Sequence, residues 1–171
     1  MSRAFVRESD VPQLPELPPQ ISPLPPGAKN YLTPAGEARL KAELGKLHDV
    51  ERPRLVAAPA DDIDAKRELQ VLDQRIRYLR ESLRTAEVVT PTEGPADIVR
   101  FGATVTVREP EGTETAYRIV GVDEIDLDRN WVSWLSPIAR ALMNARVGDR
   151  VPLKAPRGVK ELEVLRISYE P

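Results

Sequence analysis

The stretch Ala65–Ala86, AKRELQVLDQRIRYLRESLRTA, carries the clearest pattern in the chain. Its apolar residues recur at spacings that alternate between four and three. They are Ala65, Leu69, Leu72, Ile76, Leu79, Leu83 and Ala86. This is the a/d repeat of a helix that packs one apolar stripe against a partner helix. The stretch therefore predicts one leg of a coiled coil.

A matching stripe lies upstream, where Leu40, Leu44 and Leu47 repeat at helical spacing. Thr33 is a suitable N-cap for this first leg. Pro34 follows it at the first helical position, where the missing N–H would have no helical partner anyway. The sequence thus predicts two helices with complementary apolar faces.

Between the two legs, Pro59 breaks the helix, and Asp61 or Asp62 can cap the helix that returns. Pro53 lies inside the first leg, which it should kink or split at that point. Two stripes joined by a short breaker predict an antiparallel helical hairpin over residues 31–87.

The composition sets outer bounds on the class of protein. The chain has 171 residues, of which 41% are hydrophobic and 30% charged, so one or two globular domains are expected. There is no cysteine, which excludes disulfide scaffolds and thiolate metal sites and fits a reducing cytoplasm. The net charge of −2 is unlike that of a duplex-DNA binder. We expect neither a signal peptide nor a membrane span.

The rest of the chain divides into three segments. Residues 1–30 hold seven of the 17 prolines, which favours a solvated polyproline II tail over helix or sheet. A docking peptide for a groove on a partner is the alternative. Residues 88–100 contain turn residues without a helical period and are predicted to be a linker.

Residues 101–171 alternate between apolar and polar residues in several short runs, which predicts strands. Ser136 and Pro137 open one short helix, with the serine as its cap. Short strands around a single helix predict a compact α+β domain, so that the chain as a whole belongs to the α+β class.

Seven short motifs then occur in an informative order. In the C-terminal part they are Phe101–Val105, Tyr117–Glu124, Ser136–Leu142 and Val147–Asp149; in the N-terminal part they are Tyr31–Gly36, Glu51–Pro53 and Arg75–Leu79. Together they resemble the bacterial Gre transcript-cleavage factors, nearer the B type. The resemblance covers about residues 31–171 and leaves out the proline-rich tail.

This resemblance implies a coiled-coil arm joined to an FKBP-like domain. In such factors the domain docks at the rim of the RNA polymerase secondary channel, and the arm enters the channel. Two acids at the tip of the arm help to hold the second catalytic Mg²⁺, which polarises water for hydrolysis of backtracked RNA. The chain would then have no catalytic residues and no cofactor of its own, only Mg²⁺ shared with the polymerase.

The tip of the arm departs from the family pattern. The usual stretch Gly-Asp-x-x-Glu-Asn-Ala-x-Tyr is absent, and the segment between Pro53 and Arg75 is shorter by roughly a dozen residues, about 9 Å of each leg. Asp61, Asp62 and Asp64 remain as candidate Mg²⁺ contacts. Asp61 and Asp64 have the i, i+3 spacing of one helix face. Helix capping is the alternative role of these acids.

By the same resemblance, Asp123 and the run Ser136, Pro137, Ile138 and Ala139 face the polymerase. The alternative is local, because Asp123 can turn a loop and Ser136 with Pro137 can simply start a helix.

Arg77, Arg80 and Arg84 share one face of the second leg at i, i+3 and i+7. By resemblance this basic face meets nascent RNA or polymerase. The alternative is a solvated face balanced by nearby acids.

We therefore expect a monomeric cytoplasmic factor that is not itself an enzyme and makes no membrane contact. It would bind RNA polymerase at the secondary channel and modulate elongation or pausing, without efficient transcript cleavage because its tip is short. An active cleavage factor that rescues backtracked complexes is the first alternative. An FKBP-like prolyl isomerase or chaperone is the second, and a coiled-coil adaptor that dimerises is the third.

Overall fold

The computed structural model describes residues 14–91 and 96–170 and gives them an α+β fold. The first 13 residues of the predicted tail and residues 92–95 of the predicted linker lie outside the described residues. The elements are β1 (Asn30–Leu32), α1 (Pro34–Lys46), a π-helical turn (Leu47–Glu51), α2 (Arg52–Val56), α3 (Ile63–Thr85), β2 (Ala86–Val88), β3 (Ala103–Arg108), β4 (Glu114–Val120), a 3-10 turn (Val122–Glu124), β5 (Trp131–Ser133), α4 (Pro137–Leu142), β6 (Arg150–Ala155) and β7 (Gly158–Tyr169). Across these two ranges, no helix combines the length and apolarity that a bilayer span requires.

Helix α1 begins as its sequence predicts. The Thr33 hydroxyl accepts a hydrogen bond from the Gly36 N–H at 3.0 Å, and Pro34 occupies the first helical position. The irregularity that Pro53 predicts lies in the turn before it, where the helix widens into the π-helical turn. A proline ring clashes with the carbonyl four residues earlier and donates no hydrogen bond, and a wider turn accommodates both defects.

The two helical segments contact each other along their apolar stripes. Leu79 and Leu40 are buried in one cluster, and every residue of the α3 stripe is at least partly shielded from solvent. The Arg75 guanidinium lies 2.7 Å from the Glu43 carboxylate, and that of Arg52 lies 2.8 Å from Asp73. Residues with higher numbers on the first segment therefore contact residues with lower numbers on the second.

The end of the predicted second leg is not helical. Helix α3 stops at Thr85, and Ala86, the last residue of the predicted stripe, opens β2 instead. Strand β2 pairs in parallel with β1, so that Asn30 lies opposite Ala86 and Leu32 opposite Val88. This two-stranded ladder fastens the start of the first helical segment to the end of the second.

The C-terminal strands form a five-stranded mixed sheet in the order β5-β4-β3-β7-β6. Strands β4 and β5 are parallel, the other neighbours are antiparallel, and a bulge interrupts β3 against β7 at Thr106 and Val107. Helix α4 covers the sheet through Ala139 and Leu142, which are buried in its core with Val105.

The two tryptophans, Trp131 and Trp134, have different environments. Trp131 lies in β5 under the guanidinium groups of Arg118 and Arg129, at 4.8 and 5.3 Å from its ring centroid. Trp134 follows the strand and packs edge-on against Tyr31, with ring centroids 5.0 Å apart. The strand ends at Ser133, so that the alternation of faces no longer holds at Trp134.

Candidate functional site

The three acids at the tip have three different environments. Asp62 is the N-cap of α3, because its carboxylate accepts a hydrogen bond from the Ala65 N–H at 2.9 Å. Asp61 precedes the helix in a turn, so the prediction that Asp61 and Asp64 share a helix face is wrong. Asp64 is 90% exposed, with one carboxylate oxygen 3.6 Å from the Arg67 guanidinium.

The tip offers carboxylate oxygens but not a complete metal site. Within residues 14–91 and 96–170, no three His, Asp or Glu side chains are grouped so as to hold an ion. The Asp62 carboxylate caps helix α3, so only Asp61 and Asp64 remain as exposed carboxylates with hard oxygen atoms. Two carboxylates suit Mg²⁺ only where another molecule supplies the remaining ligands.

The most buried acid among residues 14–91 and 96–170 lies elsewhere, at the junction between the helical segments and the sheet. Glu124 is 2% exposed and projects from the 3-10 turn onto the start of α1. Its carboxylate accepts from the Thr33 N–H at 3.0 Å, from the Thr33 hydroxyl and from the Gly121 N–H at 3.0 Å. The N-terminal end of α1 adds a favourable dipole for this charge. Burying a carboxylate requires such donors.

Two glycines make room for this carboxylate. A Cβ on Gly36 would collide with the Glu124 side chain, closer than any ordinary contact of such an atom. A Cβ on Gly121 would collide with the Tyr31 backbone carbonyl. The close approach of the two parts of the chain therefore depends on both positions lacking a side chain.

Asp123 was predicted to face a partner but is engaged within the chain. Its carboxylate accepts from the Tyr78 hydroxyl at 2.5 Å and from the Ser82 hydroxyl at 2.5 Å, both on α3. Its backbone carbonyl accepts from the Arg39 guanidinium at 2.7 Å. A carboxylate with these partners fixes the helices to the sheet, so the prediction of a partner-facing Asp123 requires correction.

Helix α4 presents only part of its predicted docking run to solvent. The Ser136 hydroxyl accepts from the Ala139 N–H at 3.3 Å, which is the cap that the sequence predicts. Ala139 is fully buried, and Ile138 packs partly buried against the same core. A direct contact of Ala139 with a partner is therefore wrong, and Pro137 is the exposed member of the run.

The predicted basic face is solvent-exposed at Arg77, Arg80 and Arg84. Arg84 forms a bidentate ion pair with Glu81, with N–O distances of 2.8 and 2.6 Å. This hydrogen bonding lowers the pKa of the Glu81 carboxyl. One of the three charges is thus already balanced on its own helix.

Sequence reasoning missed the junction residues Glu124, Tyr78, Ser82 and Arg39. The signal for the junction was Gly36 together with Gly121, since a helical glycine and a glycine just before two acids both indicate a close approach. Neither glycine could show which segment approaches it.

The comparisons with known proteins cover about four fifths of the chain. A family model described as transcription elongation factor GreA/GreB, C-terminal, matches residues 94–169. Transcription elongation factor GreB of Neisseria meningitidis is 43% identical over 154 residues, which cover 82% of this chain and 94% of that protein. GreA of Francisella tularensis is 38% identical over 153 residues, covering 81% and 96%.

This chain belongs to the GreA/GreB family of transcription elongation factors. The similarity to a B-type protein agrees with the B-type character of its motifs. Among solved structures, Gfh1 of Thermus thermophilus is 26% identical over 82% of this chain and 99% of that one, with a TM-score of 0.39.

In this Gre factor, we predict that Gly36→Ala lowers the free energy of unfolding by about 1–3 kcal/mol, because the new methyl group displaces the Glu124 carboxylate from its donors. Gly45→Ala is the matched control on the same helix, since nothing lies within 4 Å of the added Cβ. It should leave stability unchanged or raise it by about 0.5–1 kcal/mol. Urea unfolding of both variants measures the difference. Equal effects would contradict the proposed crowding at Gly36.

A second prediction concerns the Tyr78 hydroxyl. Burial raises its pKa from 10.0 to about 12, and the hydrogen bond to Asp123 acts in the same direction. A raised folded pKa means that the contribution to stability is complete below pH 10 and is lost as the pH rises through about 12. Tyr78→Phe should lose about 1 kcal/mol at neutral pH.

The gap in unfolding free energy between wild type and Tyr78→Phe should therefore be constant up to pH 10 and should shrink, and then reverse in sign, as the pH rises from 10 to about 12. Burial also raises the pKa of Tyr169, but this residue is present in both proteins and cancels in the comparison. A gap that stays constant across this range would show that burial and the hydrogen bond to Asp123 do not raise the pKa of the folded Tyr78 hydroxyl.

Proposed function

We propose that this Gre factor binds RNA polymerase at its secondary channel and modulates elongation or pausing, without efficient transcript cleavage. In this proposal residues 31–87 form an antiparallel coiled-coil arm, and residues 101–171 form an FKBP-like docking domain. The factor acts as a cytoplasmic monomer and is not an enzyme; at most it stimulates hydrolysis by the polymerase. Membership of the GreA/GreB family carries this proposal.

Two features of the arm support the proposal that transcript cleavage is inefficient, and the first is its length. Helix α3 has 23 residues, so the arm extends roughly 34 Å. The Neisseria GreB alignment has 154 positions, whereas 82% of 171 residues is about 140, so about 14 positions have no counterpart in this chain. That number is close to the dozen residues by which the tip falls short of the family pattern.

The arrangement of the tip acids is the second reason. In the proposal, Asp61 and Asp64 would be the residues offered to a Mg²⁺ ion held by the polymerase, where the ion polarises water. Asp61 lies in a turn and Asp64 beside Arg67, so the pair is not preorganised on one helix face. Metal assistance depends steeply on ligand position. Two exposed carboxylates nevertheless keep an active cleavage factor as the second candidate function.

The comparisons do not favour a prolyl isomerase, a chaperone or a coiled-coil adaptor, because the relatives are named transcription elongation factors. In the proposed complex the domain docks through the exposed start of α4, where Pro137 is accessible. Arg77, Arg80 and Arg84 on the arm would meet polymerase or nascent RNA.

A cleavage assay on stalled, backtracked complexes tests the tip. We expect the transcript to shorten no more than about tenfold faster with this factor than with polymerase alone, because the acids are not preorganised. Brisk shortening that Asp61→Ala with Asp64→Ala abolishes, and that Asp128→Ala in the exposed loop of the domain leaves intact, would establish the active cleavage factor instead.

A binding assay tests the docking surface. Pro137→Glu should weaken binding to RNA polymerase by about tenfold or more, because a charge then replaces an apolar group in the interface. Glutamate suits the first turn of a helix, so that α4 should remain folded. Val159→Glu, at another exposed apolar residue of the domain, is the control. If both variants bind like wild type, the start of α4 is not the docking surface.

A further inference from the structure

Residues 16–24 of the proline-rich tail lie along one face of α3. The Gln74 side-chain amide donates a hydrogen bond to the Pro18 carbonyl. Tail and helix together enclose a groove of about 680 Å³, lined by Pro19, Gln20 and Ser22 on one side and by Gln70, Arg77 and Tyr78 on the other. The tail is therefore placed over part of the arm and not away from it.

The point at which the tail leaves the fold directs it along the helix. Lys29 pairs with Glu87 at 2.8 Å, and the Asn30 amide donates to the Ser82 carbonyl at 2.9 Å. The first contact holds the start of β1 against β2, and the second holds it against the end of α3. The preceding residues then run toward the middle of α3, where Gln74 lies.

The chemistry of the contact suits an extended proline-rich segment. Such a segment makes few internal backbone hydrogen bonds, here one from the Ala28 N–H to the Pro25 carbonyl at 3.0 Å, so that other carbonyls are available to side-chain donors. Gln74 supplies the donor to the Pro18 carbonyl, and Ser22 lines the groove together with Tyr78. Aromatic side chains beside a polar donor recognise proline-rich segments in several unrelated domains.

The tail is held only lightly. None of residues 14–29 belongs to either hydrophobic core cluster, and the apolar side chains of Leu17 and Ile21 remain 42% and 83% exposed. A segment with few buried apolar contacts opens at low cost, while the rest of the fold stays closed. The backbone pairing of β1 with β2 begins after it, at Asn30.

We propose that residues 14–28 form a strap over the half-buried α3 face around Gln70, Gln74 and Tyr78, and that another molecule reaches this face only after the strap is displaced. The inference rests on the proposed function, because this face belongs to the arm that would enter the polymerase. The strap then acts as an intramolecular competitor: the closed form binds RNA polymerase more weakly, and displacement of the strap restores binding.

The position of the strap can be tested without polymerase, since the chain contains no cysteine. The double variant Gln20→Cys with Gln70→Cys places two thiols on opposite walls of the groove. A short bifunctional maleimide should link them within one molecule. Gln20→Cys with Val71→Cys is the matched control, because Val71 is exposed and outside the groove. Equal intramolecular yields for the two pairs would overturn the placement of the strap.

The competition is tested with the linked protein. The comparison is between the Gln20→Cys, Gln70→Cys protein after cross-linking and the same protein with both thiols blocked separately by N-ethylmaleimide. We expect the linked form to bind RNA polymerase at least about fivefold more weakly, the lower end of ordinary coupling between sites. Equal affinities would overturn the shielding role. An unlinked protein that does not bind polymerase would contradict the proposed function instead, and the cross-linking yield would still decide where the strap lies.

Discussion

In this Gre factor, the packing of the helical segments against the C-terminal domain depends on the buried carboxylate of Glu124. Its hydrogen-bond donors, the Thr33 N–H and hydroxyl and the Gly121 N–H, are neutral. A buried charge that lost one of them would be strongly destabilised, whereas the complete set compensates its desolvation. Because the donors come from the start of α1 and from the domain, the charge is satisfied only when these two regions are docked. One residue thus ties the start of α1 to the domain.

The neighbouring Asp123 extends this constraint to the second helical segment. It binds Tyr78 and Ser82 on α3, while its backbone carbonyl accepts from Arg39 on α1. Both helices are therefore oriented by two consecutive acids of a single 3-10 turn. In the proposed complex, the direction of the arm would be set here, far along the sequence from the tip that it positions.

Sequence patterns predicted the parts of this fold that local rules govern. The caps at Thr33, Asp62 and Ser136 and the strands of the sheet follow from residues next to one another in the chain. The pairing of β1 with β2 was missed, since three-residue strands carry no alternation and the partners lie 56 positions apart. Asp123 was assigned to a partner because a loop acid beside a family motif looks the same from sequence whether its donors are internal or external.

The burial of the arm falls from its base toward its tip, and this gradient bears on function. Leu79 and Leu40 near the junction are fully or almost fully buried, while Val56 and Ile63 beside the connecting turn are about half exposed. The π-helical turn lies between these two regions. Local unfolding costs least free energy where few apolar contacts are lost, so the tip should unfold locally before the base. Holding a catalytic ion demands carboxylates fixed within fractions of an ångström, whereas occupying a channel demands only bulk and direction. A firm base under a loosely packed tip meets the second requirement better than the first.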